Sequence, residues 1–367
     1  MSKRAIIDAK AFSEGLDQVS KALRKMTYPA LSEICVRFED GTCILTATDM
    51  ETWLIKRIPA QGEDMAFVFS RTKDVAKACR LFHGALILEL EEDNSGKNKE
   101  LKLLMRCGSR SAEFDAMDSE LYPDYKPFVT ETSFSINAAS LHARIERVDY
   151  AAMKSWETSN ATRSSVQFSG SHVFALDGNR LACDTDPDYS FPRPFMANRE
   201  TLPHLKLFGD QEVLVEFGKG RCRFTNGAIT LDFIIPSMDI FGVDKTIPQN
   251  FAESFTVNPG SLLRELKYLK EFTARERYPY VRFCSGDMFM PASSGTYRTR
   301  VAICGESSTT FAFELNRMID AMRQFKDEPS VRMNVNSSVS PFVITAEGRS
   351  DLALVCPVRL TDRLLAA

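Results

Sequence analysis

Apolar positions recur along this chain with two periods, and the two alternate in a fixed order. From Lys10 to Arg24 the residues Phe12, Leu16, Val19 and Leu23 share one face of a helix. Before it, Arg4 to Ile7 reads as a short strand. After it, Glu33 to Phe38, Cys43 to Thr48 and Trp53 to Ile58 have the run length and the β-branched and aromatic content of strands, the first two joined by a turn at Glu39-Asp40-Gly41. Phe67-Val68-Phe69 then leads into a second helical pattern, Thr72 to Phe82. Strands return at Leu86 to Leu90 and Leu101 to Arg106, around the polar loop Glu91 to Glu100, and at Ser111 to Phe114 before Tyr122-Pro123-Asp124-Tyr125.

The same order follows twice more. Ser133 to Ile136 is a strand, and Ala138 to Met153 a helix with Leu141, Ile145 and Val148 as its stripe. Ser164 to Phe168 and His172 to Ala175 are paired strands. A shorter second helix spans Arg199 to Phe208, displaced so that Pro203 sits in its first turn, and strands follow at Glu212 to Phe217, Arg221 to Thr225 and Ala228 to Ile235. The last segment opens at Ser254 to Val257, with a helix from Pro259 to Thr273 that buries Leu262, Leu266 and Leu269. Its strands are Val281 to Cys284, Thr299 to Cys304, Ser330 to Asn334, Phe342 to Thr345 and Leu352 to Pro357, and its second helix is Glu314 to Phe325. Segments of about 120 residues thus read strand, helix, strands, helix, strands throughout. The pattern predicts an α+β fold of three similar domains, 1–126, 127–247 and 248–367. At the middle of the repeat lies Phe174 to Ala182, a strand running into a tight turn at Asp177-Gly178-Asn179, and the first segment carries a like turn at Asp49.

Composition adds few constraints. Of 367 residues, 44% are hydrophobic and 26% charged, as in an ordinary globular chain. No apolar run reaches the length of a membrane span, and Met1 to Asp8 lacks the apolar core of a secretory signal, so a cytoplasmic protein is expected. Nine cysteines without a Cys-x-x-Cys pair read as reduced, mostly buried thiols. His83, His142, His172 and His204 show no zinc spacing, and Asp184, Asp186 and Asp188 lack the glycine and distal glutamate of a calcium loop. There is no phosphate-binding glycine loop and no Gly-x-Ser-x-Gly elbow. Cys183 has no histidine close by in sequence to activate it. Neither a catalytic centre nor a cofactor is expected.

The net charge is only −3, so any affinity for nucleic acid must come from local arrangement. The helices supply one. Their outward faces carry Lys21, Arg24 and Lys25, then Arg144, Arg147 and Lys154, then Arg264, Lys267 and Lys270, followed by Arg275 and Arg277. The second helices add Lys73, Lys77 and Arg80, then Lys206, then Arg317, Arg323 and Lys326. A single basic helix face is usually just solvated. Equivalent faces in three repeats would form a surface suited to a phosphate backbone, read without regard to base sequence.

Five motifs then stand in a recognisable order: Tyr28-Pro29-Ala30-Leu31, Leu45 to Glu51, Tyr122-Pro123-Asp124-Tyr125, Ala175 to Ala182, and Val355-Cys356-Pro357-Val358-Arg359-Leu360. In register across the whole chain, they resemble the bacterial DNA polymerase sliding clamp, the β subunit of the replicative polymerase. The resemblance implies a homodimer closed head to tail into a ring around double-stranded DNA, with the repeated helices lining the hole. It implies Phe114 and Phe272 as apolar contributors to the subunit contact. It implies a hydrophobic groove that receives short peptides from the replicative polymerase, the clamp loader and other proteins carrying a clamp-binding motif. Carried over by motif, the groove walls are Val166, Leu176, Gly178, Asn179, Arg180, Leu181, Phe241 and Thr246, with Leu354, Val355, Cys356, Pro357, Val358 and Arg359 from the last strand. Two positions depart from the family: Leu176 stands where threonine is common, and Phe241 lies where a proline is usual. The chain also continues past the usual end, from Thr361 to Ala367. The alternative expectation is a clamp-fold paralogue that binds peptides but is not loaded on DNA.

Overall fold

The computed structural model describes residues 2–93, 100–274 and 276–360; Arg275 and the tail Thr361 to Ala367 lie outside them. The helices are α1 (Ala9–Val19), α2 (Thr72–Cys79), α3 (Ala138–Val148), the single turn α4 (Ala161–Ser164), α5 (Pro259–Lys270) and α6 (Leu315–Gln324). Two compact units result, one within Met1–His142 and Pro203–Ile235, the other within Ala143–Leu202 and Pro236–Ala367.

In the first unit twelve antiparallel strands form one sheet, in the order Ser2–Asp8, Ala85–Asp93, Glu100–Cys107, Arg110–Asp118, Met65–Phe69, Cys35–Glu39, Thr42–Thr48, Thr52–Gly62, Ile229–Ile234, Arg221–Thr225, Glu212–Gly218 and Thr132–Asn137. Thr52–Gly62 takes Ile229–Ile234 as a neighbour with Leu54 opposite Leu231, so strands of the first and middle segments share one ladder. The amphipathic stripes of α1 and α2 pack there: Phe12, Leu16 and Val19 share a core with Val75, Ala76 and Cys79. Burying each large side chain contributes about 1.5–3 kcal/mol before entropy is counted.

The second unit holds a nine-stranded sheet and a four-stranded one. The nine run Phe191–Asn198, Ser165–Gly170, His172–Leu176, Arg180–Thr185, Asp351–Val355, Phe342–Thr345, Val331–Val335, Glu253–Val257 and Ile303–Cys304. The four are Gly295–Arg300, Asp287–Ala292, Tyr280–Cys284 and Phe311–Glu314. Between them α5 and α6 bury Leu262, Leu266, Leu269, Met318, Ile319 and Met322. Asn258 caps α5 by accepting from Ser261 N, with Pro259 in the first turn, and Glu314 caps α6 by accepting from Asn316 N and Arg317 N. No helix among the described residues is long and apolar enough to cross a membrane.

The helix ends differ from the periodic reading. α1 stops at Val19 and tightens into a 3-10 turn, Ser20–Ala22, so Arg24 and Lys25 follow the helix. α3 stops at Val148 ahead of another such turn, which leaves Lys154 beyond it. The middle segment's second helix is wholly 3-10, Leu202–Phe208. Phe191–Asn198 forms a strand despite Pro192 and Pro194 because it lies at the sheet edge, where missing N–H donors cost little.

Candidate peptide groove and basic helix faces

The turn after His172–Leu176 is built by one carboxylate. Asp177 Oδ1 accepts from Asn179 N at 2.7 Å and Arg180 N at 3.0 Å, and Gly178 takes φ +93°. The first unit repeats the device: Asp49 Oδ1 accepts from Glu51 N at 3.1 Å and Thr52 N at 2.7 Å, with Met50 at φ +74°. Each turn launches the strand that pairs with the following segment, Thr52–Gly62 in one case and Arg180–Thr185 in the other.

Register decides which residues share the groove. Leu176 lies opposite Leu181, Leu181 opposite Leu354, and Leu354 opposite Val343. Cross-strand partners point to one face, so these four cluster with Phe174, Cys183 and Val243, and with the half-buried Ile240, Phe241, Ile247, Leu352 and Cys356. Phe241 N donates to Gln167 Oε1 at 2.8 Å, and Asp244 lies 2.9 Å from His172 Nε2, fastening the 240–247 segment to the sheet. Thr246 closes that segment by donating to Gly242 O. Cys356 N donates to Asn179 O, which brings the last strand to the turn, and Gly178 faces the Arg163 guanidinium. Pro357 and Arg359 follow, half-buried and exposed.

Four expected wall residues lie elsewhere. Val166 is opposite Ala175, one position out of phase with Phe174 and Leu176, so it is buried on the other face; its neighbour Gln167 is the one that reaches the groove segment. Val355 alternates with Leu354 and packs in the core with α6. Val358 leaves the sheet altogether and packs on Phe289 and Ala312. Arg180 also points away from the apolar cluster, donating to Asp320 Oδ2 at 2.8 Å. Phe174, Cys183, Val343 and Leu352 were missed. Phe174, Cys183 and Leu352 stand two positions from Leu176, Leu181 and Leu354, so a period of two was the available signal for them, whereas Val343 joins only through its pairing with Leu354.

The structure places His172 Nδ1 3.7 Å from Cys183 Sγ across the strand pair, a proximity that sequence spacing did not suggest. The thiol is fully buried, and burial pushes it up to about 12, so it is no nucleophile. Among the described residues no group of His, Cys, Asp or Glu is placed to hold a metal ion.

Of the basic residues, Lys21, Lys25, Lys73, Lys154, Lys206, Arg264, Lys267 and Lys270 are exposed. Several others are tied down. Arg24 meets Asp49 at 3.4 Å, Lys77 meets Asp74 at 3.1 Å, Arg80 meets Asp17 at 2.8 Å, Arg317 meets Asp177 at 3.2 Å and Arg323 meets Asp320 at 3.2 Å. The exposed pairs, Lys77 with Asp74, Arg80 with Asp17 and Arg323 with Asp320, are weak and leave their cations available to a stronger anion, whereas Arg317 is held on the buried Asp177. Arg144 departs from the outward-face expectation. It is buried, with Nε donating to Asp184 Oδ2 at 2.6 Å, while Arg147 donates to Oδ1 of the same carboxylate at 2.8 Å. Burial raises the Asp184 carboxyl, but hydrogen bonds from Ser350, Arg147 and Arg144 outweigh it and hold the group below its ordinary value.

Phe114 lies half-buried in Arg110–Asp118, of which only Ala116 to Asp118 pair with Met65–Phe69, leaving the Arg110 end as a free edge. Phe272 stacks on Tyr297 at 3.8 Å, on the edge strand Gly295–Arg300.

This architecture has counterparts among solved structures. The chain is similar to the beta sliding clamp of C. crescentus, with a TM-score of 0.84 and 16% identity over 98% of this chain and 99% of the other. It is also similar to the DNA polymerase III beta subunit of Thermotoga maritima, with a TM-score of 0.82 and 19% identity over 98% of this chain and 100% of the other. The fold is therefore that of a sliding clamp. In sequence it is 22% identical to the beta sliding clamps of Salmonella typhimurium and of Escherichia coli K12, over 94% of this chain and 96% of theirs. No family model matches. The chain is thus similar to bacterial beta sliding clamps in sequence as well as in fold.

Proposed function

We propose that this chain, acting in the cytoplasm as a homodimer, closes a ring around duplex DNA and tethers the replicative polymerase for processive synthesis. The observation that carries this reading is correspondence with the clamp relatives over 94% of this chain and 96% of theirs. The ring comprises three domains per chain, 1–126, 127–247 and 248–367, joined where sheets run from one segment into the next. The exposed lysines and arginines of the helices meet DNA phosphates, each weakly. A closed ring is held by topology, so contacts too weak for tight binding suffice and permit sliding. Phe114 lies in the first unit and Phe272 in the second, each on or beside a strand edge, where a head-to-tail contact would form. The apolar face around Leu176, Leu181 and Leu354, walled by Phe241 and Ile247, takes peptide anchors from the polymerase, the clamp loader and other proteins with a clamp-binding motif.

Reversing charge at Lys73, Lys267 and Lys270 separates the two activities. These side chains are exposed and reach no carboxylate among the described residues. The triple glutamate variant is expected to lose stimulation of polymerase processivity and to keep its affinity for partner peptides. Unchanged processivity would contradict a role for these helices in holding DNA.

A further inference from the structure

The twelve-stranded sheet has a second face, turned away from α1 and α2, and a cavity of about 330 Å3 lies on it. Val36, Phe38, Leu45 and Ile58 pack with α1 in the core, so the residues that alternate with them look the other way. Cys35 pairs with Thr46, and Thr46 with Ile55; two residues along, Arg37 pairs with Ile44, and Ile44 with Arg57. These two rows line the cavity, and the segment from Tyr122 to Tyr125 borders it. The backbones of Arg37 and Arg57 stand two strands apart, roughly 10 Å, with Ile44 between them.

The two arginines differ in what they meet. Arg37 is matched, donating to Asp124 Oδ1 at 2.5 Å. Arg57 is half-buried and donates to the Thr230 hydroxyl at 3.2 Å, but among the described residues no carboxylate lies within ion-pair distance of it. Its neighbours do not supply the missing charge. Asp232 is held by Arg221 at 2.8 Å and by the Tyr125 hydroxyl at 2.6 Å. Burial pushes the Cys35 thiol up to about 11 even beside Arg37, and burial together with the bond to Asp232 pushes the Tyr125 phenol up to about 12, so both stay neutral. A guanidinium in this position is best met by a flat acceptor with two oxygens. Beside it Ile44, Ile55 and the Tyr122 ring offer an apolar bed. Glu39 and Asp124, both exposed at the same cavity, repel any ligand that brings several negative charges.

We propose that this cavity binds a compact monocarboxylate, with its two oxygens on the Arg57 guanidinium and its apolar body over Ile44 and Ile55. The carboxylate belongs either to a free organic acid or to the end of a chain whose last residue is apolar. The site lies on the face of the sheet opposite the one that carries α1 and α2, and it needs one chain and no DNA. It is therefore independent of the clamp reading.

The test titrates fluorobenzoate with the full chain and follows its fluorine NMR line. Saturable binding is expected with a Kd of about 1 mM. Arg57→Gln should weaken it about tenfold, and Arg57→Lys by less, because the charge survives without the fork. Glu39→Gln, at an exposed position, should tighten it about threefold by removing a like charge. The opposite signs separate recognition from damage to the fold. Displacement by an acetylated dipeptide ending in leucine, but not by its amide, would assign the site to a chain end; failure of that peptide to displace would assign it to a free acid. No saturation below about 10 mM, equal affinity in Arg57→Gln, or equal displacement by pyrophosphate would each overturn the proposal, the last by making the cavity a general anion site. Retention on circular DNA tests the clamp reading separately, so failure of one does not count against the other.

Discussion

At the scale of single residues, His204 makes the most direct claim on solution behaviour. Burial, then the cation of Arg24 against the opposing Asp49, with Lys21 adding to the repulsion, push its imidazole from 6.5 down to about 4. The unfolded chain therefore binds this proton more tightly than the folded one. Its contribution is full above about pH 6.5 and is lost as pH falls towards about 4, amounting to about 1–3 kcal/mol. Denaturant unfolding of His204→Gln across that range should show a flatter acid limb than the parent chain; an unchanged limb would contradict this assignment. Arg24 and Lys21 also belong to the proposed DNA face, so protonation adds positive charge where phosphates would lie. The groove residues teach a different lesson at this scale. The turn at Asp177-Gly178-Asn179 was legible because a turn built on Asp and Gly announces itself. Val166 and Val355 were misplaced because a motif carries over a stretch of chain, while register selects alternate residues within it. Arg144 was misread because helical spacing cannot distinguish an outward arginine from one buried on a carboxylate such as Asp184, which lies on a distant strand.

Elements were more legible than their ends. The stripes of α1, α3 and α5 predicted helices and their buried faces, since one period sustained over several turns admits few alternatives. Their final turns, and the 3-10 character of Leu202–Phe208, depend on tertiary packing that periodicity does not encode. The hairpin Asp287–Ala292 with Gly295–Arg300 was not anticipated, yet its outer strand matters. It exposes Arg298 and Arg300, while the free edge of Arg110–Asp118 exposes Glu113 and Asp115. If these edges meet in the dimer, the signs are complementary. Glutamate at both Arg298 and Arg300 should weaken dimerisation about tenfold in sedimentation equilibrium, and lysine at Glu113 and Asp115 in the same chain should restore it. A dimer indifferent to both changes would place the subunit contact elsewhere.

Across the whole molecule, element order suggested a threefold plan, while the contacts divide the chain into two compact units. What the plan concealed is that the middle segment divides its strands between two sheets, one ladder running through Leu54 and Leu231 and another through Leu181 and Leu354. Sheets shared in this way make each segment depend on the next. The central claim is topological, and so is its most direct test. The protein is loaded by a clamp loader onto nicked circular DNA, freed of unbound protein in salt high enough to break phosphate contacts, and the circle is then cut. The account predicts a dimer that stays on the intact circle and leaves as soon as the DNA is linear. Protein lost equally from circular and linear DNA as salt rises would contradict the ring.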